Sequence, residues 1–222
     1  MSDTSVVQQI ADRILTTSLP YPLRVGINGV DGSGKTVFAK QLVEALQART
    51  ERQIITASID NFHNPKAVRY QKGRDSAEGF YEDSFQYGAL KRILLDPLGV
   101  NGNRRYATAT FDLQNDRAVE QKETAATDNA ILILEGIFIF RPELVGSFDL
   151  KIYIDVPFKE TLHRMLARDT QSTDEHAEAT KRFHTRYKAG QELYINTVHP
   201  KEISDIVIDN TDFNNPKIIN GM

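Results

Sequence analysis

Apolar side chains recur in two rhythms that alternate along the chain. Val6, Val7, Ile10, Ile14 and Leu15 fall at helical spacing and predict an amphipathic helix, closed by Pro20 and Pro22. A continuous apolar run follows at 23–27, then a glycine-rich turn at 28–34. Val37, Phe38, Leu42, Val43 and Leu46 then resume the helical period. Further strand-like runs stand at 54–59, 130–134, 150–154 and 206–208, and helices are predicted at about 158–168 and 177–196. Runs that are apolar at every position predict strands buried on both faces, hence a mainly parallel sheet between two helical layers. Ligands in such folds gather at the carboxyl ends of the strands. Asn28, Asp60, Glu135 and Asp155 all stand at or just past those ends.

The stretch 61–128 is the least regular. It carries turn signals at Asp96-Pro97 and Asn101-Gly102 and a short helix around Leu90, Ile93, Leu94 and Leu95. Residues 105–111 followed by 118–123 predict a β-ribbon projecting from the core. No repeat or low-complexity linker divides the chain, so 1–222 reads as one domain with an insertion at 61–128.

The turn after the first strand has chemistry of its own. Gly29-Val30-Asp31-Gly32-Ser33-Gly34-Lys35-Thr36 fits G-x-x-x-x-G-K-[ST], a pattern expected by chance in about one chain of this length in a hundred. Glycines let backbone N–H groups turn inward around phosphates, and the following helix offers its positive end to the same anion. Lys35 supplies a cation for the β- and γ-phosphates, and the Thr36 hydroxyl can ligate Mg²⁺. The pattern predicts bound ATP with Mg²⁺. No Asn-Lys-x-Asp segment of the kind that reads guanine is present; Asp209-Asn210-Thr211-Asp212 is not one.

Other residues turn nucleotide binding toward phosphoryl transfer. Asp60, directly after the second strand, is placed to take a proton from an acceptor hydroxyl, although a turn or cap role also accounts for it. Glu135 ends an apolar strand beside the phosphate loop and suits magnesium or a magnesium-bound water. Asp155 ends its strand in similar style, with a structural role equally open. Arg164 and Arg168 share a helix face before a polar segment, 169–177, that reads as part of a lid at about 164–180. Such arginines can neutralise a transferring phosphoryl group while closure excludes water; a solvated basic face is the plain alternative.

Composition narrows the picture further. With 222 residues, 40% of them hydrophobic, the chain can build one sizeable core. A formal net charge of −3 argues against general attraction to nucleic acid or anionic membrane. The absence of cysteine removes disulfides, thiolate catalysis and cysteine-ligated zinc. The first twenty residues lack a basic start followed by an apolar run, and no stretch is long enough to span a bilayer, so a soluble cytoplasmic protein is expected. A homo-oligomer remains compatible with the sequence. The histidines show no carboxylate–histidine metal spacing.

The combination of Gly29–Thr36, Asp60-Asn61-Phe62-His63, Glu135-Gly136 and Arg164-x-x-x-Arg168-Asp169, in this order and spacing over roughly 22–210, resembles the uridine kinase / phosphoribulokinase family. The resemblance implies a P-loop kinase of α/β class, with a five-stranded parallel sheet in three layers, a small acceptor-side insertion and a helical lid. It implies Asp60 as catalytic aspartate, Glu135 as the strand-end acid near magnesium, and Arg164 and Arg168 as lid arginines. The acceptor would be a nucleoside, or a related sugar-containing or anionic alcohol. Uridine kinases usually read Asp-Ser-Phe-Tyr where this chain has Asn61 and His63, and their insertion carries a histidine that residues 104–112 lack. Their arginine-rich lid is replaced here by 170–176. These departures leave the acceptor open and motivate a second reading, an ATP-binding regulatory protein with little transfer activity.

On the acceptor side, His63, Tyr81, Arg105 and Tyr106 are the candidates: Tyr106 can stack on a planar group, and Arg105 can meet an anion. Arg69, Lys72 and Arg74 form a basic cluster nearby, which solvent-facing charge explains as well. Arg186, Tyr187 and Gln191 lie on the last long helix, where packing or a lid-facing role accounts for them equally.

Overall fold

The computed structural model describes residues 5–170 and 172–221. Five strands lie parallel: β1 (Leu23–Gly29), β2 (Ile54–Ser58), β3 (Ile131–Gly136), β4 (Leu150–Asp155) and β5 (Ile206–Asp209). A sixth, β6 (Lys217–Asn220), joins antiparallel at the edge, giving the order β6-β5-β4-β1-β3-β2. The parallel core is the one the sequence predicts. The edge strand is not, because only Ile218 and Ile219 interrupt its polar surroundings and its residues stay largely exposed.

Helix α1 (Val6–Thr16) buries Val6, Ile10, Ala11 and Ile14, and its Ser5 cap accepts from the Gln8 amide at 3.3 Å. With α2 (Lys35–Gln47) it covers one sheet face, where Val25, Ile27, Ile131 and Ile133 point. Leu132 and Leu134 point to the other face, into a second core built with Phe62, Phe80, Phe85, Leu94, Phe138 and Tyr194. Successive strand residues therefore enter opposite cores, which is why β3 reads as an unbroken apolar run.

The 61–128 stretch supplies much of that second core. Helix α3 (Ala77–Asp83) brings in Phe80, and a π stretch, Lys91–Leu95, brings in Leu94 and Leu95. The expected projecting ribbon is instead two ribbons of two-residue strands, Arg105–Tyr106 with Thr124–Ala125 and Phe111–Asp112 with Arg117–Ala118. They are folded back on the protein because Tyr106 and Phe111 are both buried, and withdrawing two aromatic side chains from water outweighs a free-standing hairpin.

Helix α4 (Phe158–Asp169) follows β4. Helix α5 (Thr173–Arg182) begins earlier than its apolar spacing predicts, because Ser172 and Glu175 form a reciprocal capping box. A π stretch, Phe183–Lys188, joins it to α6 (Ala189–Val198). The expected lid, about 164–180, is thus mostly helical; Gln171 within it lies outside the described residues. No helix of the described residues is long and apolar enough to cross a membrane.

Candidate active site

Parallel register sets the centre of the site. Glu135 on β3 stands level with Ile27 on β1 and Ser58 on β2, one residue before the strand ends. Beyond β1 the chain turns through Gly32 (φ 74°) and Gly34 (φ 93°), left-handed conformations that favour glycine, and then enters α2. At Gly29 a Cβ would come within 2.6 Å of the Ile154 carbonyl, so only glycine lets the loop leave the sheet here. The first N–H groups of α2, which starts directly after Gly34 without a side-chain cap, have no partner within the helix.

These elements frame a cleft of about 300 Å³ that gathers Asp31, Lys35, Thr36, Asp60, Glu135, Arg164 and Arg168. All the catalytic and metal candidates read from the sequence therefore meet in one place. Lys35 is buried and donates to the Val30 carbonyl at 2.8 Å, so its ammonium lies inside the loop. The Ser33 hydroxyl is buried and finds no hydrogen-bond partner among the described residues. Buried hydroxyls are rarely left unpaired, and a phosphate oxygen is the natural acceptor in such a cradle.

Asp60 is delivered by a 3-10 turn, Ile59–Phe62, in which Ile59 and Phe62 are buried anchors. Its amide bonds to Ser58 Oγ at 3.3 Å, while its carboxylate remains 63% exposed and open to an acceptor. Glu135 is different. Desolvation pushes its carboxyl up from the ordinary carboxylate range, and Lys35 and the hydroxyls of Ser58 and Thr36 pull it back only in part. A desolvated acid that accepts from the Thr36 hydroxyl fits one side of a magnesium site. Among the described residues no cluster of three or more acid, histidine or cysteine side chains could hold a metal unaided. A magnesium ion here would draw its other ligands from phosphate and water, as is usual for that ion.

The raised carboxyl has a measurable consequence. Its folded-state pKa lies above the unfolded one, so the stability it contributes is present below the unfolded value and is lost as pH rises through the folded one. Glu135→Gln is expected to raise Tm at neutral pH and to gain nothing below about pH 4. Adding MgATP should narrow the neutral-pH gap by compensating the wild-type carboxylate alone. Scanning calorimetry across pH checks this; a shift independent of pH would assign the change to packing.

The two lid arginines part company. Arg164 donates to the carbonyls of Asn210 at 2.9 Å and Thr211 at 3.0 Å, reaches that of Gly32 at 3.5 Å and pairs with Glu160. It braces the phosphate loop against the end of β5, where Asn210 also donates to the Ser33 carbonyl at 2.7 Å. Arg168 pairs with its neighbour Asp169, is largely exposed, and borders the cleft.

None of the four acceptor-side candidates lines that cleft, and they lie in two different places. His63 follows Asp60 and is buried against Phe85, with ring centroids 4.4 Å apart and Nδ1 2.9 Å from the Asp60 carbonyl oxygen. Burial holds its imidazole below the usual histidine range. Tyr81 packs on Phe138 and Tyr194, and the Arg141 guanidinium lies 4.3 Å from its ring and 4.5 Å from that of Tyr87. Arg105 and Tyr106 are not brought to the cleft. Arg105 is exposed and paired with Glu123 at 3.0 Å, and Tyr106 borders a cavity beside Ile54, at the opposite end of β2 from Asp60. The register of the first small ribbon, Arg105 with Ala125, puts them there.

In the basic cluster, Arg69 and Lys72 are taken up by acids and Arg74 lies against an aromatic ring. Arg69 bonds Asp116 at 3.1 Å, Lys72 is shared among Glu78, Glu82 and Asp83, and Arg74 lies over Tyr70. Asp155 is in an ion pair with Lys201 at 2.5 Å. Arg141, the guanidinium between Tyr81 and Tyr87, has as its only signal in the sequence a basic residue directly after the apolar run 137–140.

A parallel sheet, a glycine turn feeding a helix N-terminus and two acids at adjacent strand ends define a P-loop kinase fold. The profile of the Phosphoribulokinase / Uridine kinase family matches residues 24–215, and the chain belongs to that family. Uridine kinase of Saccharomyces cerevisiae is 27% identical over 157 residues, which span 68% of this chain and 30% of the yeast protein. Uridine kinase of Borrelia hermsii is 27% identical over 190 residues, 83% of this chain and 84% of that protein. A Bacillus stearothermophilus structure described as a possible uridine kinase matches with a TM-score of 0.72 at 21% identity, covering 90% of this chain and 96% of that one. At that identity the likeness speaks to the fold.

Proposed function

We propose that the protein transfers the γ-phosphate of ATP to a hydroxyl of a small metabolite, a nucleoside of the uridine or cytidine kind or a related sugar-containing or anionic alcohol. The observation that carries this reading is the single cleft that joins Lys35 and Thr36 of the phosphate loop to Asp60 and Glu135. In the reaction, the acceptor oxygen forms a bond to the γ-phosphorus as the bond from that phosphorus to the β-γ bridging oxygen breaks, and ADP leaves. Asp60 accepts the hydroxyl proton and releases it to solvent. Lys35 and the loop amides hold the phosphates, and Arg168, once free of Asp169, meets charge on the transferring group. Magnesium, when bound, neutralises β- and γ-phosphate charge, with Thr36 and Glu135 as the residues that would hold it.

Tyr81, Arg141 and His63 supply the acceptor wall in this reading, with a ring for stacking and a guanidinium for an anion or hydroxyl. The test is to incubate the protein with ATP, Mg²⁺ and a panel of nucleosides, sugars and hydroxy acids, and to follow ADP and monophosphate together. One acceptor should yield equal amounts of both. ADP release indifferent to every acceptor would make the protein an ATPase, and ATP uptake without ADP would make it a nucleotide-binding regulator.

A further inference from the structure

Gln191 is 1% exposed, yet packing alone would be better served there by leucine. Its amide works in two directions. Oε1 accepts the Asp31 N–H at 2.6 Å, and Nε2 donates to the Tyr187 carbonyl at 2.9 Å. Asp31 is at the crest of the phosphate loop, and Tyr187 lies inside the π stretch that joins α5 to α6. One turn further along α6, Tyr194 takes a hydrogen bond from Asn28, whose own Oδ1 accepts the Gly29 N–H at 2.7 Å. A single helix therefore grips the loop at its start and at its crest.

The helix that does this is itself held. A Cβ on Gly190 would come within 2.7 Å of the Ala77 carbonyl, so α6 lies directly against α3 with no room to slide. Gln191 thus projects from a fixed support, and its bond decides which way the Asp31 peptide faces. That orientation leaves the Asp31 side chain lining the cleft, where Lys35, Asp60 and Arg168 are its charged neighbours.

We infer that Gln191 is a positioning residue for phosphoryl transfer: from the helix that follows the lid, it fixes the Asp31 peptide so that the phosphate loop keeps its cradle. The inference deepens the proposed phosphotransferase reading and rests on it. It touches no reacting atom, so its effect is carried through the loop.

The test compares Gln191→Met, which keeps the volume without the acceptor oxygen, with Gln191→Glu, which keeps that oxygen. Titration calorimetry reads MgATP affinity, with Lys35→Met alongside. Gln191→Met is expected to weaken MgATP binding about tenfold, the usual scale for losing one buried hydrogen bond, and Gln191→Glu, which loses the donor to Tyr187 and brings a negative charge toward the phosphates, to weaken it at least as much. Wild-type affinity in a folded Gln191→Met would remove the role, and a lowered Tm alongside that affinity would leave Gln191 as packing only. Should that variant not fold, Gln191→Asn, whose oxygen falls one methylene short, must show the same defect or the inference fails. If Lys35→Met binds MgATP like the wild type, the fault lies instead with the assignment of the nucleotide site.

Discussion

Asp60→Asn is expected to lower kcat by about 10²–10⁴-fold with MgATP affinity largely unchanged, the range typical of a lost general base. The substitution keeps the shape of the side chain and its place in the turn, because Ile59 and Phe62 are the buried anchors and the Ser58 bond is made by the backbone amide. Only the capacity to take a proton disappears. Among the described residues the carboxylate's one ion pair is with His63, 3.9 Å from Oδ1, and burial favours the neutral form of that ring. Phosphoryl transfer passes through a loose transition state in which the hydroxyl proton leaves late, which favours the lower part of the range. Single-turnover measurements with the acceptor found in the panel separate the chemical step from product release. Turnover equal to the wild type would remove Asp60 from the reaction and leave it as a turn residue.

The sheet and the nucleotide half of the cleft were legible because each part is dictated locally. Strands buried on both faces must be apolar throughout, and a loop that wraps phosphate must place glycine where φ is positive, as at Gly32 and Gly34. Glu135 could be placed beside that loop from the apolar run that ends in it. The proposed acceptor side was less legible because tertiary partners decide it. Arg164 has the spacing of a lid arginine, but three backbone carbonyls distant in sequence claim its guanidinium. Arg105 and Tyr106 looked suited to a ligand by residue type. The register of a two-residue ribbon, which no periodicity reveals, puts them at the wrong end of β2. That Arg141 lies between Tyr81 and Tyr87 left no mark in the sequence. Gln191 stood out on the last long helix, but packing accounted for it equally, because no spacing reveals the Asp31 amide from which it accepts.

Lys35→Met is expected to abolish measurable MgATP binding at ordinary nucleotide concentrations and to reduce turnover by at least about 10²–10³-fold, the scale seen when one preorganised charge-stabilising donor is removed. The side chain is buried and directed into its own loop, so its charge acts at short range in a site shielded from water. The same change should alter the free protein in a way that an ordinary core substitution would not. Lys35 is the principal group lowering both Asp31 and Glu135 against the desolvation that raises them. Without it, both folded-state values rise further. Each acid then contributes stability that is complete below its unfolded value, near pH 4, and is lost over a wider window as pH rises. The Tm of Lys35→Met should therefore fall relative to wild type from pH 4 to pH 7, and adding Glu135→Gln should flatten that fall. A Tm difference constant across the range would show that the lysine and the two acids do not share one electrostatic site, and the cleft would lose the coupling on which phosphate binding there depends.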